Sequence, residues 1–169
     1  MKIEIKPHSG AGKLIFGMTR SEIREVMGKP EYSSEKSTID YDDFSIPVPA
    51  KDGYFSNCIQ ISYDINNQAE FIEFSGKDEE QITILFYGVD VFNTPAPQLL
   101  RHITESTGAE IDMEDEEIPY SYVFPSLDLS LWRQVIPELN EETDEIPDSD
   151  EGKYFWTIGI GIKGYYENQ

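Results

Sequence analysis

The stretch Ile59-Gln-Ile-Ser-Tyr-Asp-Ile-Asn-Asn-Gln-Ala-Glu-Phe-Ile-Glu-Phe-Ser75 decides the fold of this chain. Apolar and polar residues alternate with period two in residues 59–63, and aromatic residues alternate with glutamates in residues 69–75, which is typical of half-buried β-strands. Residues 64–68 between them are polar and favour a turn. A run with the same period, Thr38–Phe44, comes before them. Together these runs predict an antiparallel β meander.

Further strands are predicted on both sides of this stretch. Met1–Lys6 alternates isoleucine with charged residues and predicts a short opening strand. Val123–Trp132 and Tyr154–Ile162 predict two more strands, and the second alternates isoleucine with glycine. Residues 82–87 are more continuously apolar, which fits either a buried strand or the end of a helix that begins at Asp78.

A first helix is predicted from Thr19 to Met27. The Thr19 hydroxyl can cap the free amides of the first turn, and Glu22, three residues later, completes a capping box. Gly28, followed by Pro30, ends the helix. Three side chains fall on the face that we expect to be buried, namely Ile23, Val26 and Met27.

A second helix is predicted at about residues 95–107. Thr94 can cap it, Pro95 is tolerated at the first helical position, and Gly108 ends it. Its expected buried face consists of Leu99, Leu100 and Ile103. The fold class that we predict is therefore α+β, an antiparallel sheet meander with two main helices packed on it.

Length and composition predict one domain in a reducing compartment. A chain of 169 residues with ten Tyr, nine Phe and two Trp can build one packed core, and residues 1–169 are expected to form it. No secretory signal follows Met1, and no segment is apolar for long enough to span a membrane. Cys58 is the only cysteine, and we expect it to be a buried apolar residue. A cytoplasmic location follows as an expectation.

The charge of the chain is concentrated in one stretch. The net charge is −20, yet residues 1–36 carry seven basic and five acidic side chains, a net of +2. Residues 105–151 carry sixteen acidic side chains against the single basic Arg133, a net of −15. Such a field repels nucleic acid and anionic membranes and attracts a basic protein. The alternative is that the charge only keeps the protein in solution.

No motif in the chain has the spacing that a known chemistry requires. Gly10–Lys13 lacks the gap and the following Ser or Thr of a phosphate-binding loop, and residues 10–17 are expected to form a flexible loop. Asp148–Gly152 resembles a calcium loop but has its glycine one position early. His8 and His102 lack zinc-ligand spacing and any nucleophile motif. We therefore expect no cofactor, no metal and no enzymatic activity. An enzyme would instead need a concave site containing a carboxylate or histidine with a shifted pKa.

The candidate binding residues are the acidic side chains of residues 112–117 and 141–151, together with the tyrosines that follow the first group. Rings give rigid contact area, and carboxylates pair with Lys or Arg of a partner. The aromatic residues Phe155 and Trp156 are expected to belong to the core. Residues 137–152 are expected to form an acidic loop, ordered by a partner or mobile. The predicted partner-binding residues are Asp112, Glu114, Asp115, Glu116, Glu117, Tyr120, Tyr122, Glu141, Glu142, Asp144, Glu145, Asp148, Asp150 and Glu151.

The first helix carries a short motif. Phe16-Gly-Met-Thr-Arg-Ser-Glu-Ile-Arg-Glu-Val-Met-Gly-Lys-Pro30 resembles a helix that recurs in outer-membrane assembly lipoproteins and other small β-rich domains. The resemblance covers fifteen residues. It implies how a helix packs on a sheet, and no membrane role is carried over, because the chain lacks the lipid-modified cysteine of those lipoproteins.

As a whole, the chain resembles the immunity proteins that bacteria encode beside polymorphic or contact-dependent toxins. The resemblance is one of type: a small acidic α+β protein with a long acidic loop. It implies an inhibitor that binds a cognate, basic toxin domain, with nucleases a common toxin class. Electrostatic steering suits that role, because neutralisation must outpace the toxin. Two alternatives are an acidic adaptor or nucleic-acid mimic, and an uncharacterised enzyme.

Overall fold

The structure is a computed structural model that describes residues 1–76, 82–137, 146–147 and 150–168. It has an α+β fold, as the sequence predicts. The helices are α1 (Arg20–Met27) and α2 (Ala96–Thr107), with short 3₁₀ turns at Pro125–Leu127 and Tyr166–Asn168. The strands are β1 (Lys2–Lys6), β2 (Gly10–Ala11), β3 (Leu14–Ile15), β4 (Tyr32–Ser34), β5 (Ser37–Asp40), β6 (Ser45–Val48), β7 (Ala50–Tyr54), β8 (Ile59–Tyr63), β9 (Ala69–Ser75), β10 (Thr83–Phe86), β11 (Val89–Asp90), β12 (Ser121–Phe124), β13 (Leu129–Trp132) and β14 (Thr157–Gly161).

The largest sheet has the strand order β12-β13-β14-β9-β8-β7-β4, and all its pairs are antiparallel. The predicted meander lies at its centre, where Ile61 of β8 pairs with Ile72 of β9. The prediction of a single strand at Val123–Trp132 is wrong. The chain reverses there at Pro125–Leu127, and Asp128 has a φ of 48°, so the segment forms the hairpin β12–β13.

A second sheet has the order β11-β10-β1-β2-β3, with β1 and β10 parallel and Ile3 opposite Ile84. Residues 82–87, for which the sequence allowed either a strand or the end of a helix, therefore contain a strand, β10. Residues 10–17 were expected to be a flexible loop, but β2 and β3 pair as a hairpin. Gly10 has a φ of 129°, and a Cβ there would collide with the Leu14 carbonyl, so this close approach requires glycine.

Helix α1 begins and ends as its sequence predicts. Thr19 is the N-cap, and both hydrogen bonds of the capping box with Glu22 are present. Ile23 is fully buried, but Val26 is 42% exposed, so the expectation that Val26 belongs to the buried face is wrong. The helix has eight residues, and its buried residues are Arg20 and Ile23.

Helix α2 has the predicted length and a different cap. Pro95 is the N-cap, and the Thr94 hydroxyl donates to the Asp90 carbonyl at 2.6 Å and does not cap the helix. Leu99 and Ile103 are fully buried. The helix ends at Gly108 in the left-handed conformation, as expected.

One continuous apolar cluster joins both large sheets and both helices. Ile5 of the smaller sheet, Ile72 of the larger sheet and Leu99 of α2 all belong to it. Cys58 is buried, as predicted. Among the described residues, no helix is both long enough and apolar enough to cross a membrane.

In the part of the chain that the structure describes, strands β5 and β6 pair only with each other and form a separate two-stranded ribbon. This ribbon leaves the largest sheet after β4, the strand at one edge, and returns into β7. The predicted run Thr38–Phe44 is therefore a strand and a turn, but it lies outside the meander.

Candidate partner-binding face

The first acidic segment is a series of turns between α2 and β12. Asp112 Oδ1 accepts a hydrogen bond from the Glu114 backbone nitrogen at 3.0 Å, and Asp115 Oδ1 accepts one from the Glu117 nitrogen at 2.9 Å. Bonds of this kind from an aspartate to the backbone two residues on stabilise tight turns. They leave Glu114, Glu116 and Glu117 exposed and keep the two aspartates half-buried.

Arg133, directly after β13, holds this segment beside a second acidic one. Its Nε donates to the Pro119 carbonyl at 3.1 Å and its Nη1 to the Gly152 carbonyl at 2.7 Å. The guanidinium is buried, and this burial lowers its pKa, but an arginine remains charged in a protein. These two hydrogen bonds bring the backbone at Pro119, just after the first acidic segment, close to the backbone at Gly152, just after Glu151.

Among the described residues, six carboxylates of this region take part in no ion pair. The ion pairs in the described part of the chain join the arginines of α1 to Asp52 and Glu35, and the only other close contact of this kind is that of His8 with Asp128. We call the following set the acidic face: Asp112, Glu114, Asp115, Glu116, Glu117 and Glu151. Its negative charge is therefore available to a partner.

The aromatic residues of this region divide into exposed and core-packed rings. Tyr120 is 44% exposed and Trp132 is 39% exposed. Tyr122 is half-buried, with its ring 5.8 Å from Phe155 in an edge-on contact. Phe155 is buried, as predicted, whereas Trp156 is only half-buried and stacks edge-on against Trp132. Of the two predicted tyrosines, Tyr120 is the better placed for contact.

The second acidic segment is described only at its end. Asp150 is half-buried and its Oδ1 accepts a hydrogen bond from the Gly152 nitrogen at 2.8 Å, whereas Glu151 is exposed. Outside the described residues lie the predicted partner-binding residues Glu141, Glu142, Asp144, Glu145 and Asp148.

Sequence reasoning missed a buried charge cluster beneath α1. Asp52 of β7 is fully buried, and Arg20 and Arg24 of α1 both bind it. Arg20 Nη2 lies 2.8 Å from Asp52 Oδ1, and Arg24 Nε lies 2.9 Å from Oδ2. Ser33 and Tyr63 also donate hydrogen bonds to this carboxylate. The i, i+4 spacing of the two arginines on one helix was the available signal.

This cluster fixes protonation states as well as geometry. Burial alone would raise the pKa of Asp52, but the hydrogen bonds from the two guanidinium groups outweigh it and hold that pKa well below its usual range. Burial and the neighbouring Asp52 charge raise the pKa of Tyr63. Because both arginines of α1 are engaged by one buried carboxylate, the basic N-terminal region presents less positive charge than its composition suggests.

The two histidines have different partners. His8 Nε2 is 3.2 Å from the buried Asp128, which also accepts hydrogen bonds from the backbone of Gly164 and Tyr166. The His102 Nε2 lies 3.0 Å from the Phe86 carbonyl oxygen at the edge of the core. In the described ranges, no group of three or more His, Cys, Asp or Glu side chains is placed to hold a metal ion.

A cleft of about 770 Å³ lies between the base of the β5–β6 ribbon, the β8–β9 turn and residues 162–165. Burial raises the pKa of Glu70 in this cleft, and the Asp64 charge adds to the effect. Lys36 and Lys163 also line it. This is a concave site with a carboxylate of shifted pKa, the feature that the enzyme alternative required. It draws on three distant segments, so no local motif could indicate it.

Comparison of the chain with protein-family models, curated proteins and solved structures finds no significant match.

Proposed function

We propose that this chain binds a basic protein partner through the acidic face and thereby inhibits it, as an immunity protein inhibits its toxin. The observation that carries the proposal is a set of six carboxylates with no ion pair among the described residues. Arg133 binds the backbone carbonyls of Pro119 and Gly152, directly beside the two acidic segments, and the nearby Tyr120 ring is exposed. Binding, rather than catalysis, is the proposed activity, and the proposed location is the cytoplasm.

The geometry supports association more than non-specific solubility. The two acidic segments are distant in sequence, yet Arg133 binds the backbone carbonyls of Pro119, beside the first segment, and Gly152, beside the second. Arg133 therefore holds the backbone of both acidic segments in place. A fixed array of like charges raises the rate of encounter with an oppositely charged surface, and the rate falls as salt rises.

The proposal predicts a specific pattern of capture from a lysate of the source cell. The wild-type chain should retain one dominant basic protein at low salt and less of it at high salt. The variant Glu114→Gln, Glu116→Gln, Glu117→Gln should retain several-fold less, because three exposed charges are lost without change of shape. The captured protein is identified by mass spectrometry.

A matched control removes the same charge elsewhere. Glu25→Gln, Glu105→Gln, Glu167→Gln neutralises three exposed carboxylates outside the acidic face and should bind like the wild type. Equal loss in both variants would show that only net charge matters. Capture of many nucleic-acid-binding proteins would favour the mimic instead, and no specific partner at low salt would direct attention to the cleft.

A further inference from the structure

The β5–β6 ribbon, which we call the arm (residues 37–48), has one apolar face. Ile39 lies opposite Ile46 across the two strands, and the Tyr41 and Phe44 rings stack at the tip with their centroids 4.8 Å apart. Alternate residues of a strand share a face, and cross-strand partners share it too. The four side chains therefore form one stripe along the arm.

This stripe is exposed to solvent. Ile39 is 48% exposed, Tyr41 52%, Phe44 59% and Ile46 43%. An isolated two-stranded ribbon is only marginally stable in water, and a contiguous exposed apolar patch marks a site of interaction. The arm thus carries four large apolar groups that gain from burial against another surface.

The face of the arm, and not its edge, is the surface suited to binding. Pro47 has no backbone N–H, which weakens the outer edge of β6 as a template for another strand. The opposite face is polar, and the Ser45 hydroxyl donates to Asp40 there at 2.6 Å. One face is left for docking, and its anchors are aromatic and branched aliphatic side chains, the types that fill partner pockets.

The negative charge around the tip of the arm indicates which kind of surface binds the stripe. The exposed carboxylates of Asp40, Asp42 and Asp43 surround the tip. A second copy would bring the same carboxylates together across a two-fold axis, in a chain whose net charge is already −20. A surface with an apolar cleft rimmed by lysine or arginine would bury the apolar stripe and pair with the carboxylates at the tip.

We propose that the arm inserts its apolar stripe into an apolar cleft of the basic partner, with the three aspartates paired to basic residues at the rim of that cleft. This inference rests on the proposed function for the identity of the partner. The surface is a separate one: the arm leaves the sheet at the β4 edge, and the acidic face lies at the β12 edge. Six strand spacings put these edges about 29 Å apart.

A photo-crosslinking amino acid in place of Tyr41 tests the occupant in the source cell. The expected product joins the chain to one basic protein, identified by mass spectrometry. The same probe in place of Tyr87, which is 53% exposed and outside the arm, should not give that product. A crosslink between two copies of the chain, or none at position 41, would overturn the proposal.

Once the crosslink has identified the partner, binding kinetics with the purified, uncrosslinked partner distinguishes the contribution of the arm from that of the acidic face. Phe44→Ala should weaken affinity about tenfold or more, mainly through faster dissociation and with unchanged salt dependence. Thr38→Ser, on the polar face of the arm, should have no effect. If Phe44→Ala weakens binding and the triple glutamine variant does not, the proposed role of the arm stands and the proposed role of the acidic face is rejected. The reverse result would reject the arm.

Discussion

At the scale of single residues, Asp52 is the centre of a buried charge cluster between α1 and β7. It is fully buried, and its two oxygens accept hydrogen bonds from Arg20 and Arg24. Arg20 is itself buried and lies with its guanidinium carbon 5.2 Å from the centre of the Tyr63 ring. A buried ion pair is balanced only while both partners remain, so the cluster ties α1 to β7 in one arrangement.

Removal of the carboxylate should take from the buried Arg20 its buried partner and leave it only the exposed Glu35, while Arg24, which is 40% exposed, loses its partner as well. We expect Asp52→Ala to lower the free energy of unfolding by about 3–5 kcal/mol, measured by urea denaturation. Glu35→Gln is the control, because Glu35 also pairs with Arg20 but is 83% exposed. Its loss should cost about 0–1 kcal/mol. Equal effects of the two substitutions would contradict the assigned role of Asp52.

The same carboxylate predicts a dependence on pH. Its pKa in the folded state lies below the value of about 3.9 in the unfolded chain, so it stabilises the fold above about pH 4. As pH falls further, the unfolded state takes up the proton first and the contribution is lost. The stability difference between the wild type and Asp52→Asn should therefore be constant near neutrality and shrink below about pH 4. A constant difference down to pH 3 would argue against a depressed pKa.

Contacts between single side chains that are distant in sequence were the features least predictable from the sequence. Thr19 and Glu22 are three positions apart, and their capping box could be predicted because both partners are local. Arg20 and Asp52 are 32 positions apart, and only the fold brings them together. The pairing of Arg133 with the Gly152 carbonyl, 19 positions on, was hidden for the same reason.

At the scale of elements, α1 is a two-turn helix held at both ends. Thr19 and Glu22 satisfy each other's free groups at the start, and hydrogen bonds from Thr19 lower the pKa of Glu22. Gly28 ends the helix, and its nitrogen donates to the Arg24 carbonyl at 2.9 Å. A helix this short is only marginally stable by itself. Its caps and the Asp52 cluster therefore provide the stabilisation that a longer helix would gain from additional hydrogen-bonded turns.

Loss of the N-cap should therefore be measurable. Thr19→Ala should lower the free energy of unfolding by about 1 kcal/mol, determined by urea denaturation. Ser21→Ala, at an exposed position inside the helix, should be neutral or slightly stabilising because alanine has the higher helix propensity. A neutral Thr19→Ala would show that the capping box contributes nothing in this context.

The elements that the sequence predicted best are those with a strong local period. Strands β8 and β9 and helix α2 fall where alternation and capping place them. The hairpin β12–β13 was mistaken for one strand because its reversal uses Pro125 and Asp128 within an apolar run, with no glycine to mark it. The parallel pairing of β1 with β10 joins segments about 80 residues apart and has no local signal.

At the scale of the whole molecule, charge is separated between two regions. The arginines of α1 pair with carboxylates, whereas the acidic face has no basic partner in the described part of the chain. Sequence counts predicted the acidic excess and its position. They could not show that Arg133 joins two acidic segments, or that Tyr122 turns inward while Tyr120 stays exposed.

The measurement that tests the central claim most directly is the association rate constant between the chain and its captured basic partner, at low and at high salt. Steering by the acidic face predicts a rate that falls steeply with salt. At low salt, the triple glutamine variant of Glu114, Glu116 and Glu117 should associate markedly more slowly than the Glu25, Glu105 and Glu167 control. Identical rates and identical salt dependence in the two variants would contradict the account.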